Sequence, residues 1–124
     1  ALMMRCLRDC GAQINFFLPN RVRDGYGLSV TTVERAARNN YRVILTVDNG
    51  ITAFDAAQKA RECGIDLIIT DHHRPLERGV PEAYAIVDPY QASCAYPFKG
   101  FAGVGVSFKL MSLLYKRLGR DIPD

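Results

Sequence analysis

The chain has 124 residues, of which 48% are hydrophobic and 23% are charged, and its net charge is +3. This length suits one domain, and the hydrophobic fraction excludes a disordered tail, a collagen-like repeat and a mucin-like stalk. The charge is too small to indicate a nucleic-acid-binding protein by electrostatics alone.

The cysteines and apolar runs indicate a cytoplasmic protein. The four cysteines contain no C-x-x-C pair and no dense secreted-type spacing, which favours reduced thiols. The longest apolar runs are far below the roughly 20 residues that a membrane span needs. We therefore expect no membrane association.

The first elements along the chain are a helix, a short strand and a second helix. Apolar residues at helical spacing predict a helix over Ala1 to Cys10, which Gly11 ends. A short apolar segment, Ile14 to Leu18, predicts a strand. Ser29 is a suitable N-cap for a helix that ends at Asn39.

The rest of the chain continues to alternate strands and helices. The predicted elements are a strand over Arg42 to Val47, a helix that Thr52 caps and that runs to Cys63, strands over Asp66 to Thr70 and Ala83 to Val87, and a helix from Gly103 or Val104 to Leu118. The first of these strands is a continuous apolar run, which is typical of burial on both faces. The alternation predicts an α/β fold with a doubly wound, Rossmann-like parallel sheet.

Candidate functional residues follow two of these strands directly. Asp48 ends one strand, and Asp71, His72 and His73 end the next. Ligands bind beyond the carboxyl ends of open parallel sheets, and carboxylates with imidazoles there suit a divalent ion. Asp48 alone also suits a turn or a helix cap. The position of both histidines of the chain at this edge favours a functional site.

Two further segments have both a functional and a structural interpretation. Arg21 and Tyr26 lie in a loop where they suit phosphate pairing and base stacking, although composition alone favours a solvated loop. Gly103 and Gly105 form only a weak dinucleotide fingerprint. They are better interpreted as small residues that let a helix begin close to the site.

Several blocks of the sequence resemble a known family. The segments 47–51 (VDNGI) and 71–73 (DHH) are similar to motifs of the DHH phosphoesterase superfamily. Within it, the blocks 19–21 (PNR), 24–29 (DGYGLS) and 102–110 (AGVGVSFKL) resemble the RecJ-type exonucleases. The resemblance covers essentially the whole chain and implies hydrolysis of single-stranded DNA from 5′ to 3′ in repair and recombination.

The resemblance also implies roles for individual residues. Asp48 would bridge two catalytic metal ions, Mn²⁺ or Mg²⁺, and His72 would bind one of them. His73 would lie near the scissile phosphate, and Asp71 would support an imidazole. Two such ions activate water and stabilise the entering and leaving oxygens of a phosphodiester. The resemblance also favours contact of Arg21 and Tyr26 with single-stranded DNA.

Two motifs of the family have no match in this sequence. The first motif, Asp-x-Asp, should precede the opening helix, and the fourth, a metal-binding Asp, should follow the last helix. We therefore expect residues 1–124 to be a single partial DHH domain, an internal fragment that is inactive in isolation. The alternatives are a DHH phosphodiesterase for short oligonucleotides or cyclic dinucleotides and a non-catalytic phosphate- or nucleic-acid-binding domain. The oligomeric state is open.

Overall fold

A computed structural model describes residues 2–18, 27–92 and 103–120. These residues form a parallel sheet in the order β1-β2-β3, in which Val43 lies beside Asp66 and Ile68 beside Ala85. The elements are α1 (Leu2–Asp9), α2 (Val30–Arg38), β1 (Val43–Val47), α3 (Phe54–Glu62), β2 (Asp66–Thr70), β3 (Ala85–Val87) and α4 (Gly103–Leu118).

Helices cover both faces of this sheet. On one face, α2 and α3 pack on β2 through a buried cluster that includes Val33, Ala57 and Ile69, and Ile44 of β1 packs against this cluster. The next residue, Leu45, packs against the cluster that α1 and α4 form on the other face. Successive strand residues point to opposite faces, so this packing confirms the α/β fold with a parallel sheet.

The helices α1 and α4 are also joined by a buried hydroxyl group. The oxygen of Tyr115 lies 3.0 Å from the carbonyl oxygen of Cys6 and 2.8 Å from Oδ2 of Asp9. Arg120 lies 3.3 Å from the same carboxylate oxygen. These contacts tie the first described helix of the chain to the last.

The predicted strand over Ile14 to Leu18 is wrong. The structure places residues 12–18 in neither a helix nor a strand, and the side chains of Phe16 and Leu18 are 69% and 78% exposed. An apolar segment becomes a strand only where a neighbouring strand completes its backbone hydrogen bonds. No strand among the described residues lies beside this segment.

The predicted burial of β1 on both faces and the predicted cap at Thr52 are also wrong. Val43 and Val47 are 52% and 43% exposed, because within the described part of the chain β1 pairs with β2 alone and forms the sheet edge. The N-cap of α3 is Ala53, with no side-chain cap bond. A helix that begins at Phe54 places Thr52 one residue too early to cap it.

The remaining elements agree with their predictions to within about two residues. Ser29 caps α2, since its side chain accepts a hydrogen bond from the backbone N–H of Thr32 at 3.2 Å. The strand over Asp66 to Thr70 has the predicted bounds, and α4 begins at Gly103. No described helix is long and apolar enough to cross a bilayer.

Candidate metal centre

Four side chains converge at the carboxyl ends of β1 and β2. Val47 and Thr70 are paired neighbours at the ends of these strands, so the residues that follow them leave the sheet at the same edge. One possible ligand atom from each of four residues lies within 4.8 Å of the other three, and the residues are Asp48, Asp71, His72 and His73. The structure thus brings together the four residues that the sequence analysis singled out.

Asp71 is the buried anchor of this group, with 1% of its surface exposed. Its Oδ1 accepts hydrogen bonds from the backbone N–H groups of His72, at 2.8 Å, and His73, at 3.3 Å. The same oxygen lies 2.5 Å from Nδ1 of His73, and Oδ2 accepts a bond from the N–H of Ile51 at 3.1 Å. Both oxygens are therefore engaged in positioning the turn and the His73 ring.

The arrangement around Asp71 indicates the tautomer of His73. A carboxylate accepts hydrogen bonds, so the contact with Nδ1 assigns a proton to that nitrogen. In the neutral ring Nε2 is then an acceptor. The His73 side chain is exposed, so Nε2 is available to a molecule bound at the site.

Asp48 and His72 form the more accessible half of the group. Oδ1 of Asp48 lies 2.5 Å from Nε2 of His72, and the centroids of the His72 and His73 rings are 4.4 Å apart. Asp48 has a φ of 67°, a left-handed conformation that Asp adopts more readily than most residues. An oxygen and a nitrogen donor thus share one exposed edge, a mixed set that suits a first-row divalent ion.

Two threonines that the sequence analysis did not single out tie the strand ends together. The hydroxyl of Thr46 donates to the carbonyl of Asn49 at 2.7 Å and accepts from the N–H of Thr70 at 3.2 Å. The hydroxyl of Thr70 donates to the carbonyl of Thr46 at 2.5 Å. Both side chains are buried. In the sequence, Thr46 and Thr70 could have been noticed as polar residues near the ends of two apolar runs.

Asp88 supplies a third carboxyl group at this edge, after β3. It is 2% exposed; its Oδ1 accepts from the N–H of Tyr90 at 2.8 Å, and its Oδ2 has no hydrogen-bond partner among the described residues. Burial raises the pKa of Asp88 to about 6; the Tyr90 N–H opposes this shift, nearby Asp71 adds to it, and His72 and His73 oppose it. Asp88 was not among the site residues predicted from the sequence.

A cation and a cavity adjoin the group. The guanidinium of Arg74, the residue after His73, lies 4.6 Å from the centroid of the Tyr90 ring. The group also adjoins a cavity of about 210 Å³ whose lining includes Asp71, His73 and Asn49. The cavity therefore gives a small molecule access to His73.

Arg21 and Tyr26, the predicted nucleic-acid-binding residues, lie outside the described residues. The described part of the chain resumes at Gly27, which lines the same cavity as His73. Their contact with nucleic acid stays a prediction.

Comparison with known families decides the membership of this chain. The model of the DHH family, N-terminal domain, matches residues 1–124. The chain belongs to the DHH family.

Within the DHH family, the chain is similar to single-stranded-DNA-specific exonucleases RecJ. It is 41% identical to the Bacillus subtilis protein over 124 residues, which is all of this chain and 16% of that protein. It is 44% identical to the Escherichia coli protein over 115 residues, or 92% of this chain and 20% of that protein. The chain thus spans a fifth or less of the length of these relatives.

Solved structures of RecJ have the same fold. An exonuclease RecJ bound to manganese superposes with a TM-score of 0.85 at 33% identity, covering 98% of this chain and 30% of that one. RecJ from Thermus thermophilus in complex with Mn²⁺ superposes with a TM-score of 0.76 at 29% identity, covering 98% of this chain and 16% of that one. These DHH proteins confirm the resemblance that the sequence motifs indicated.

Proposed function

We propose that this chain forms part of the catalytic core of a metal-dependent exonuclease that hydrolyses single-stranded DNA from 5′ to 3′. The observation that carries the proposal is the convergence of Asp48, Asp71, His72 and His73 at one edge of a DHH-family sheet. The similarity to single-stranded-DNA-specific exonucleases supports the substrate. The biological setting that we propose is repair and recombination in the cytoplasm.

The donor atoms present fit a divalent metal ion. Asp48 and His72 would hold it: Oδ1 of Asp48 and Nε2 of His72 are in contact with each other, and the ion would take the place of the proton between them. Asp71 would not, because both of its oxygens are already hydrogen-bonded. We favour Mn²⁺, which two solved RecJ structures contain, over Mg²⁺, which prefers oxygen ligands. When bound, such an ion lowers the pKa of water and neutralises charge on a phosphodiester.

His73 acts on the attacking water in this proposal. Asp71 holds Nδ1, so the acceptor Nε2 orients a water molecule beside the phosphorus atom and takes its proton. The negative charge of Asp71 stabilises the imidazolium that results. Asp71 is thus a positioning residue, and His73 is the catalytic residue of this chain.

We further propose that the centre is completed from outside these 124 residues. Asp48 and His72 alone are too few ligands for a two-metal site, and the chain spans a fifth or less of the RecJ relatives described above. The chain is then a single partial DHH domain that lacks the first and fourth metal-binding motifs. It is inactive by itself, and Arg21 and Tyr26 contact the DNA strand.

A chimera tests the proposal directly. These 124 residues replace the matching segment of the Bacillus subtilis RecJ, to which they are 41% identical. The chimera should hydrolyse long single-stranded DNA in Mn²⁺, and His73→Ala should lower kcat by about 10²- to 10⁴-fold, the usual contribution of a general base. Arg61→Ala is the control, because Arg61 is exposed at the other end of α3 and pairs with Glu82.

Other results of this experiment would contradict the proposal. Equal rates for the chimera and its His73→Ala variant, with unchanged circular dichroism, would remove His73 from catalysis. Cleavage of dinucleotides or cyclic dinucleotides without cleavage of long strands would support the small-substrate alternative. The blocks 24–29 and 102–110 and the RecJ relatives favour the long single strand.

A further inference from the structure

A groove leads away from the candidate centre across the start of α3. The cavity of about 210 Å³ beside His73 continues into a second cavity of about 250 Å³. The two share Leu28, Thr52 and Ala53 in their linings, and Arg78 lines the second cavity only. A molecule bound at the centre can therefore extend along the protein surface to Arg78.

The side chain of Arg78 is held in place over an aromatic ring. Its guanidinium carbon lies 3.8 Å from the ring centroid of Phe54, the first residue of α3. Stacking of this kind orients a guanidinium and leaves its N–H edge free to bind a phosphate. None of the ion pairs between described residues includes Arg78.

Asp55 is the opposing charge in the groove, since it lines the same cavity as Arg78. Arg78 would therefore attract a negatively charged ligand in this cavity, and Asp55 would repel it. The two residues provide substitutions of opposite sign for the same surface. Removal of the Arg78 charge should weaken anion binding, and removal of the Asp55 charge should strengthen it.

We propose that this groove binds the sugar–phosphate backbone of the substrate strand and that Arg78 contacts a phosphate other than the scissile one. The inference rests on the proposed function, because it takes the centre at His73 to be the place where a phosphodiester is cut. Arg78 is a substrate-positioning residue in this view. Its contact is with phosphate, so it is independent of base sequence.

Binding of a fluorescent single-stranded oligothymidylate to the 124-residue chain, measured by anisotropy over a series of NaCl concentrations, tests the groove. Each phosphate contact contributes about 0.7 to the slope of log K against log salt for a single strand. Arg78→Ala should reduce the slope by about 0.7 and weaken binding about tenfold. Arg78→Lys should retain the slope, and Asp55→Asn should tighten binding.

Arg38→Ala is the matched control, because it removes the same charge from an exposed position at the far end of α2. Phe54→Leu removes the ring under Arg78 and should weaken binding less than Arg78→Ala does. Equal salt slopes for Arg78→Ala and Arg38→Ala, or no binding of the oligonucleotide by the chain, would overturn the inference. Circular dichroism of each variant is the check that it is folded.

The chimera separates failure of this inference from failure of the proposed function. Arg78→Ala in the chimera should raise KM for long single-stranded DNA about tenfold and leave kcat unchanged. An active chimera whose KM is unchanged by Arg78→Ala would overturn the proposal that the groove binds the strand, and it would leave the proposed hydrolysis in place. An inactive chimera, with a salt slope of the chain that still depends on Arg78, would overturn the proposed hydrolysis and leave the groove as a phosphate-binding surface.

Discussion

The geometry of the centre depends on one buried carboxylate. Asp71 accepts hydrogen bonds from Ile51 and from both residues that follow it, and it holds the ring of His73. Such an aspartate links the turn after β1 to the turn after β2. It therefore couples the stability of this edge to the orientation of the His73 imidazole.

Asp71→Asn should show this coupling. The amide has one acceptor oxygen in place of two, so at least one buried donor loses its partner, at a cost of about 2 kcal/mol. Urea denaturation measures the free energy of unfolding. Asp66→Asn is the control, because Asp66 is exposed at the start of the same strand. Equal midpoints for the two variants would contradict the role given to Asp71.

Asp88 makes stability depend on pH in a direction that follows from its burial. Its pKa is raised from the ordinary 3.8 to about 6, so between these values the folded protein keeps a proton that the unfolded chain loses. The contribution of Asp88 to stability is then highest below pH 3.8, falls as the pH rises to about 6, and is constant above that. The fall amounts to about 3 kcal/mol.

Asp88→Asn should abolish this fall, because the amide does not ionise. In EDTA at pH 8 the variant should be more stable than the unaltered protein by up to about 3 kcal/mol, and at pH 4 the two should agree to within about 1 kcal/mol. Urea denaturation at both pH values gives the comparison. The same stability difference at pH 4 and pH 8 would show that Asp88 ionises normally in the folded state.

At the scale of residues, the four residues of the candidate centre could be predicted from the sequence, but the burial of Asp88 and the stacking of Arg78 could not. Asp48, Asp71, His72 and His73 follow apolar runs directly, and strand ends of a parallel sheet meet at one edge. The burial of Asp88 depends on neighbours that a single sequence does not show. The same holds for the stacking of Arg78 on Phe54, since these residues are distant in the chain.

The turn between β1 and α3 is the element on which the position of Asp48 depends. Gly50 has a φ of 108°, and a Cβ atom there would lie 3.1 Å from the hydroxyl of Thr46 and 3.3 Å from Cγ2 of Ile69. Gly64, which follows the C-cap of α3, has a φ of 71° and nothing within 4 Å of a Cβ atom. Both glycines thus have a positive φ, but only Gly50 has side-chain atoms close to the position of a Cβ atom.

Gly50→Ala should therefore cost more than Gly64→Ala. Backbone strain alone accounts for about 1 kcal/mol at Gly64, whereas strain and steric overlap together amount to about 3 kcal/mol at Gly50. Thermal unfolding of both variants measures the difference. Gly50→Ala should also weaken Mn²⁺ binding, because the turn carries Asp48. Equal losses of stability would show that the turn adjusts freely.

At the scale of elements, local patterns predicted the helices and β2 well. Capping by Ser29 and the apolar run of β2 are properties of a few adjacent residues. The strand over Ile14 to Leu18 and the burial of β1 depend instead on a partner that local sequence does not specify. Both predictions were wrong for this one physical reason.

At the scale of the whole molecule, β1 is the edge strand of the sheet that the described residues form, and apolar side chains on and near it are exposed. Val43 and Val47 are exposed on this edge strand, and so are Phe16 and Leu18 in the segment after α1. Unpaired strand edges and apolar patches promote association between copies of a chain. We expect the chain to self-associate as its concentration rises.

Static light scattering over a concentration series tests this expectation. Val43→Lys should reduce association, because a charge on an edge strand opposes pairing with another edge. Val80→Lys is the control, since it adds the same charge at an exposed position outside the strands. A monomer at every concentration, for the unaltered chain as well as for Val43→Lys, would contradict the expectation.

Calorimetric titration with Mn²⁺ tests the central claim most directly, namely that Asp48 and His72 are metal ligands of an incomplete centre. The titration compares the 124-residue chain with the chimera, each with and without Asp48→Asn. We expect the chimera to bind Mn²⁺ at least about tenfold more tightly than the chain does, and Asp48→Asn to remove most of this affinity. Unchanged Mn²⁺ affinity in the Asp48→Asn chimera would show that the metal binds elsewhere.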